Sequence, residues 1–255
     1  MSFDKPARAC RGLCKSTLFE SGITGAFFLK LPLATVFGAA IACVGLSANV
    51  AVAQTSTLTA LTWSSPEHRV LLIEPEVKLG EITAGGIVEP RADWSDRAAH
   101  ALQQSLSAAL GQHGIKTAAL ETLSDPHDVQ LAKLHAIVGT EILIYQLGFS
   151  RLPTKKSPLD WTLGPGVNEM RLKHGADYGM FVYVRDTYSS NTRKAMMLLG
   201  MATGGTQGAF VSLVDLRTGN IVWFNRVVSG FGAGDLRDGS GAPAFATELL
   251  KGSPL

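Results

Sequence analysis

The clearest pattern in the chain lies at 207–228, where apolar side chains occupy both phases of a two-residue period. Ala209, Val211 and Leu213 alternate with Phe210, Ser212 and Val214. A strand that is apolar in both phases is covered on both faces. Leu216, Arg217, Thr218, Gly219 and Asn220 follow, with Gly219 free to adopt the positive φ of a tight turn. Ile221, Val222, Trp223 and Phe224 then return as a second strand. Two strands this close in sequence predict an antiparallel hairpin.

Other segments carry equally readable periods. His68 to Ile73 is a continuous apolar run of the buried-strand kind. Pro75 bulges or ends that strand, and Val77, Leu79 and Ile82 read as an edge continuation before Ala84-Gly85-Gly86 breaks the pattern. Ala98, Leu102, Leu106, Ala109 and Leu110 form a helical stripe, with Asp93 as N-cap, Asp96 in the first turn and Gly114 just past the end. A short strand at 115–120 completes a strand–helix–strand unit. Ser124-Asp125-Pro126 opens a second helix with proline at its favoured first position, and Leu131, Leu134, Val138, Ile142 and Tyr145 continue its stripe. Residues 151–166 carry three prolines, two glycines and the Lys155-Lys156 pair, and read as a long surface loop anchored by Trp161 and Leu163. A short helix at 168–172 ends at Gly175, a strand covers 178–186, and 187–191 is a polar turn. Met196, Met197, Leu198, Leu199 and Met201 then mark an apolar helix at 193–202, for which packing into the core is the favoured reading. A glycine-rich loop at 230–241 precedes a last helix at 243–251. The order predicts an α/β fold that ends in the 207–228 hairpin and a last helix.

The front of the chain changes the picture of compartment. Residues 1–30 carry Lys5, Arg8, Arg11, Lys15 and Lys30 against Asp4 and Glu20, and residues 31–52 carry no charge. Ala51-Val52-Ala53 gives the small-x-small pattern of a signal-peptidase site. Three fates fit these residues: cleavage after Ala53, lipidation at Cys43, or retention as an uncleaved membrane anchor, since an uncharged run of about 22 residues is long enough to span a bilayer. The chain thus divides into 1–53 as signal peptide or anchor, 54–66 as a Ser/Thr-rich tether, and 67–255 as one α/β domain. Cys10, Cys14 and Cys43 all fall in the targeting segment, so the domain is expected to hold without disulfides. A net charge of +2 with no basic run after residue 53 gives nucleic-acid binding no electrostatic support.

Candidate chemistry is sparse. Glu74, Glu76, Glu81 and Glu89 cluster at the end of the first strand, where α/β ligand sites tend to lie, and paired carboxylates serve acid–base or metal chemistry. A solvated edge is the plainer account of them. The histidines His68, His100, His113, His127, His135 and His174 are scattered and read as solvated or capping residues. His127 and His135 are eight residues apart, about two helical turns, too far for one ion. The glycines at 200, 204, 205 and 208 resemble a phosphate loop loosely, but no Gly-Lys-Ser/Thr follows and Thr206-Gln207 leads into a strand. No Gly-x-Ser-x-Gly elbow is present. The expectation is therefore no catalytic, cofactor-binding or metal-binding residue and no cofactor. The Met-rich helix and the 151–166 loop are the candidate contact surfaces.

Asp215, Thr218, Gly219, Ile221 and Trp223 match a D-x-x-T-G-x-I-x-W hairpin, and Gly175-Ala176-Asp177-Tyr178 precedes a strand. In these motifs and in element order over 69–228 the chain resembles a group of bacterial envelope proteins. The group includes the curli-secretion channel protein CsgG, the Pel polysaccharide-export lipoprotein, penicillin-binding-protein activator lipoproteins and the amino-terminal domain of TolB. The resemblance implies a three-layer α/β sandwich, with a mixed central sheet ending in the 207–228 hairpin and helices on both faces. It also implies a non-catalytic assembly or interaction module, exported to the periplasm or the outer membrane of a Gram-negative bacterium. Its partners would be envelope proteins or further copies of itself, with membrane association through the N-terminal segment. The chain departs from the group in its poor lipobox at Cys43 and in lacking long amphipathic strands for a membrane barrel. The rival reading is a small periplasmic hydrolase or ligand-binding domain using the carboxylates at 74–89.

Overall fold

The computed structural model describes residues 54–59, 68–120, 122–148, 152–155, 159–229 and 234–255; the targeting segment with its three cysteines, Trp63 and Lys156 lie outside them. In chain order the elements are β1 (Gln54–Thr59), β2 (Arg69–Ile73), β3 (Glu76–Ile82), β4 (Val88–Pro90), α1 (Ala92–Gln112), β5 (Lys116–Leu120) and α2 (Pro126–Glu141). A π-helical segment (Ile142–Gln146) extends α2. Then come α3 (Val167–His174), β6 (Tyr178–Ser189), α4 (Asn191–Leu198), β7 (Gln207–Asp215), β8 (Ile221–Ser229) and α5 (Ala242–Leu249).

The eight strands of the described residues join one mixed sheet; six follow the order β1-β8-β7-β6-β2-β5, and β3 pairs with β6 and β4 off that path. The twelve-residue β6 is its axis. On one side β2 and then β3 run parallel to it, and on the other β7, β8 and β1 follow antiparallel. Val70 lies opposite Tyr178 and Glu76 opposite Tyr183, so β2 and β3 advance six residues while β6 advances five. The extra residue is a bulge at Glu74-Pro75, where proline removes a ladder donor. Because β3 is flanked by β6 and β4, it is not the free edge that its alternation predicts.

Alternation along each strand builds two cores, which is what makes the domain a three-layer sandwich. Val70, Leu72, Met180, Val182, Val211, Leu213 and Trp223 face α1 and α5, meeting Leu102, Leu106, Phe245 and Leu249. Leu71, Ile73, Phe181, Phe210, Val214 and Phe224 face α2 and α3, meeting Leu131, Ile142, Val167 and Met170. Each such leucine or phenylalanine contributes about 1.5–3 kcal/mol by leaving water.

Four local expectations are corrected. Gln54–Thr59, expected in a tether, is an edge strand that satisfies the outer backbone of β8, with the Thr57 hydroxyl donating to Asn225 Oδ1 at 3.2 Å. Asp93 is not the α1 N-cap: the helix starts two residues earlier than that cap implies, its N-cap Arg91 makes no side-chain cap, and Asp93 accepts from Arg91 and Arg97 in the first turn. The Ser95 hydroxyl takes over the junction, donating to the Arg91 carbonyl at 2.8 Å and accepting from Leu79 N–H at 2.9 Å. The polar turn at 187–191 is largely strand, because β6 keeps pairing with β3 to Ser189. The Met-rich helix buries none of its residues.

Candidate functional site at the arm end of the sheet

Several strand ends coincide at one edge of the sandwich. Ile82 of β3 lies opposite Ser189 of β6, Asp186 opposite Gln207 of β7, Gln207 opposite Ser229 of β8, and Val228 opposite Gln54 of β1. From this end an arm, residues 190–206, carries the chain from β6 to β7. Ser190 caps α4 by accepting from Arg193 N–H at 3.3 Å. Gly200, at φ +70°, closes the helix, and the amides of Leu199 and Met201 both donate to the Met196 carbonyl. Arg193 binds the return: its Nε donates to the Thr203 carbonyl at 2.9 Å. Thr187 and Thr206 hold the base together, Thr187 N–H to Thr206 O and Thr206 N–H to Thr187 Oγ1, each at 2.9 Å. The arm is thus a hydrogen-bonded structure, and it presents Leu198, Leu199 and Met201 to solvent at 89, 74 and 68% exposure.

A cleft of about 480 Å³ runs under the arm, bounded by Lys194 and Met197 of α4, the strand ends, and Asp235 and Arg237. A second of about 470 Å³ lies across β6, toward Pro90 and Arg91. Asp186 borders both and is only 4% exposed. Its carboxyl accepts from Gln207 Nε2 at 2.9 Å and hydrogen-bonds the Tyr188 hydroxyl, which itself accepts from Leu236 N–H at 2.9 Å. Burial pushes Asp186 above the usual carboxylate range and pushes the Tyr188 phenol up as well. Arg237 pairs with Asp235 at 2.5 Å and sits 4.8 Å from the Tyr188 ring centre. Arg237 holds Asp235 below the usual range. The Asp186 carboxyl therefore finds its partners inside the fold.

The sequence-predicted site residues are dispersed into structural contacts. Glu74 accepts from Leu123 N–H at 2.8 Å, Glu76 pairs with Arg185, and Glu81 pairs with Arg91 at 2.8 Å. Glu89 lies opposite Glu81 on the β3–β4 ribbon. Among the described residues no three His, Cys, Asp or Glu side chains gather in a way that holds a metal ion. His135 departs from the solvated role expected of it. It is buried, stacks 5.1 Å from the Phe181 ring, shares a 2.8 Å hydrogen bond with Ser212 Oγ, and has a pKa lowered to about 3 by burial. In the glycine run at 200–208, a Cβ on Gly205 would lie 1.7 Å from the Thr187 carbonyl oxygen, so that glycine permits close backbone packing.

The 151–166 loop and the hairpin turn explain one another. Leu163 N–H donates to the Gly219 carbonyl at 2.8 Å and Ile221 N–H to the Trp161 carbonyl at 2.9 Å. Gly219 has φ +81°, and a Cβ there would sit 2.1 Å from the Gly164 oxygen. Asp215 accepts from Arg217 N–H at 2.8 Å, an Asx turn, and Trp223 Nε1 donates to the Gly252 carbonyl at 3.0 Å. In the other motif Gly175 ends α3 in the left-handed region, and Asp177 accepts from Arg69 N–H at 3.2 Å. The motif residues are structural.

No protein-family model matches the chain, and no curated protein matches it in sequence. Among solved structures it is similar to the PelC dodecamer from Paraburkholderia phytofirmans, at 14% identity and a TM-score of 0.41, covering 80% of this chain and 96% of that one. It is also similar to a DUF4136 family protein from Bacteroides thetaiotaomicron, at 11% identity and a TM-score of 0.33, covering 79% of this chain and 96% of that one. No helix among the described residues is long and apolar enough to cross a membrane.

Sequence reasoning missed two features of this end. Asp186 follows an apolar run, but nothing in the sequence says that a glutamine 21 residues later and a tyrosine two residues on will enclose it. The exposure of the arm was equally hidden, although Gly200 and Gly204-Gly205 at its two turns are the signal that it leaves the sheet and comes back.

Proposed function

We propose that this chain is an exported, non-catalytic interaction module of a Gram-negative cell envelope, periplasmic or outer-membrane-associated, serving an export or envelope-biogenesis assembly. The observation that carries this reading is the arm. A hydrogen-bonded element fixes Leu198, Leu199 and Met201 in water, where each loses the burial free energy that its neighbours in the sheet gain. The glutamates at 74–89, the basis of a hydrolase or ligand-binding reading, support it poorly, since Glu74, Glu76 and Glu81 already hold the backbone or an arginine.

A pull-down from gently solubilised envelopes, with the amino terminus read by mass spectrometry, tests the reading. Co-purification of an envelope protein, of further copies of the chain or of membrane, lost in Leu198→Asp/Leu199→Asp, is the expected result. A turnover abolished by Glu74→Gln or Glu76→Gln with the fold intact would overturn it.

A further inference from the structure

We infer that the arm end of the sheet rests on an anionic lipid bilayer, with Leu198, Leu199 and Met201 seated at the headgroup–acyl boundary and Arg193 and Lys194 level with the phosphates. This deepens the envelope reading above and rests on it.

Three independent features converge on the same edge. The first is where the exposed apolar side chains lie. Of the ten large hydrophobic residues that stand in solvent among the described residues, six are at this end: Ile87 and Val88 in the β3–β4 ribbon, Leu198, Leu199 and Met201 on the arm, and Val228 near the end of β8. Arg193 joins the two protruding pieces, its Nη1 donating to the Thr83 carbonyl at 3.5 Å. The second is where the chain begins its fold. Gln54 lies opposite Val228, so the described domain starts at this same edge. The uncharged residues 31–52 precede it directly, and Cys43 is eleven positions earlier. A lipid on Cys43, or retention of 31–52 as an anchor, brings this edge to the bilayer. The third is charge. On the arm itself the charged side chains are Arg193 and Lys194, while Glu81 of the ribbon and Asp235 below the arm are paired with Arg91 and Arg237. Apolar side chains beside lysine or arginine on one protrusion match an anionic bilayer, with acyl chains for the first and phosphates for the second.

The test uses the full chain reconstituted into vesicles of phosphatidylethanolamine and phosphatidylglycerol whose acyl chains carry bromine, which quenches nearby tryptophan. Leu199→Trp is compared with Leu172→Trp, an equally exposed site on α3, after subtraction of the unsubstituted chain's signal. The expected result is that the Leu199→Trp signal falls by about half or more relative to unbrominated vesicles while the Leu172→Trp signal does not change. Substituting phosphatidylcholine for phosphatidylglycerol is expected to remove most of that difference. Equal behaviour of the two sites, in a chain still retained on vesicles, would overturn the lipid-facing edge and leave the envelope reading standing. Quenching that persists without phosphatidylglycerol would overturn the anionic assignment. A Leu199→Trp signal shielded from aqueous acrylamide but untouched by bromine would identify a protein occupant and overturn the lipid. A chain that fails to float with the vesicles would overturn the lipid-facing edge and leave a periplasmic module standing.

Discussion

The arm at 190–206 and the hairpin β7–β8 are consecutive in the chain, and both carry runs of large apolar side chains, yet they meet opposite environments. In the hairpin, Phe210, Val211, Leu213, Trp223 and Phe224 are buried between two helical layers. In the arm, α4 buries nothing, and its apex residues are among the most exposed apolar groups described. The difference is topological. β7 and β8 have strand neighbours and a helix on each face, whereas α4 spans from the end of β6 to the start of β7 beyond the reach of either helical layer. Hydrophobicity decides that a segment seeks burial, and the path of the chain decides whether the same domain supplies it. Where the domain does not, a lasting apolar apex is a surface for something else.

That contrast sets how substitutions in the two regions will behave. The largest effect is expected at Gly219. Gly219→Ala meets both a positive φ and a carbonyl oxygen 2.1 Å from the new Cβ, so it should cost about 3 kcal/mol or more, read from urea unfolding. Gly200→Ala on the arm, with φ +70° and open space around the Cβ, should cost about 1–2 kcal/mol. Equal losses at the two sites would break the comparison.

The hairpin side also carries a pH signature. His135 stacks against Phe181 and Phe210 and is bonded to Ser212 of β7, with its pKa at about 3 against 6.5 for the free side chain. Its folded pKa is depressed, so between those values the unfolded chain binds the extra proton. The contribution is fully present above about pH 6.5 and is lost as pH falls toward 3, by about 1.4 kcal/mol per unit at most. Unfolding midpoints measured from pH 7 to 4 should show that slope, and it should be absent in His135→Phe. Ser212→Ala, which strips the imidazole of its partner, should cost about 1–3 kcal/mol. The smallest effect is expected on the arm: Leu198→Ser should change stability by less than about 0.5 kcal/mol.

The hairpin was legible because its signals are local. Alternation over nine residues, Gly219 and the Asp215 turn all act within a few residues of one another, and β7 and β8 pair as that reading requires. The helix stripe from Ala98 to Leu110 and the Pro126 start of α2 were legible for the same reason. What escaped depends on distant partners. Gln54–Thr59 reads as a polar tether until β8 is known to need an outer neighbour. His135 looks like any helical histidine until Ser212, 77 residues later, supplies its hydrogen bond. Asp186 and the arm are of this kind. The run from Met196 to Met201 has the composition of a core helix, and only the sheet's topology leaves it outside.

One paired measurement tests the role of the arm most directly: the unfolding midpoint of Leu198→Asp/Leu199→Asp and its recovery in envelope complexes, each beside the unsubstituted chain. The expected result is a stability within about 1 kcal/mol of the original together with loss of the co-purifying partner or membrane association. A loss of about 4 kcal/mol or more, as buried leucines would give, or full retention of the envelope complex, would contradict it.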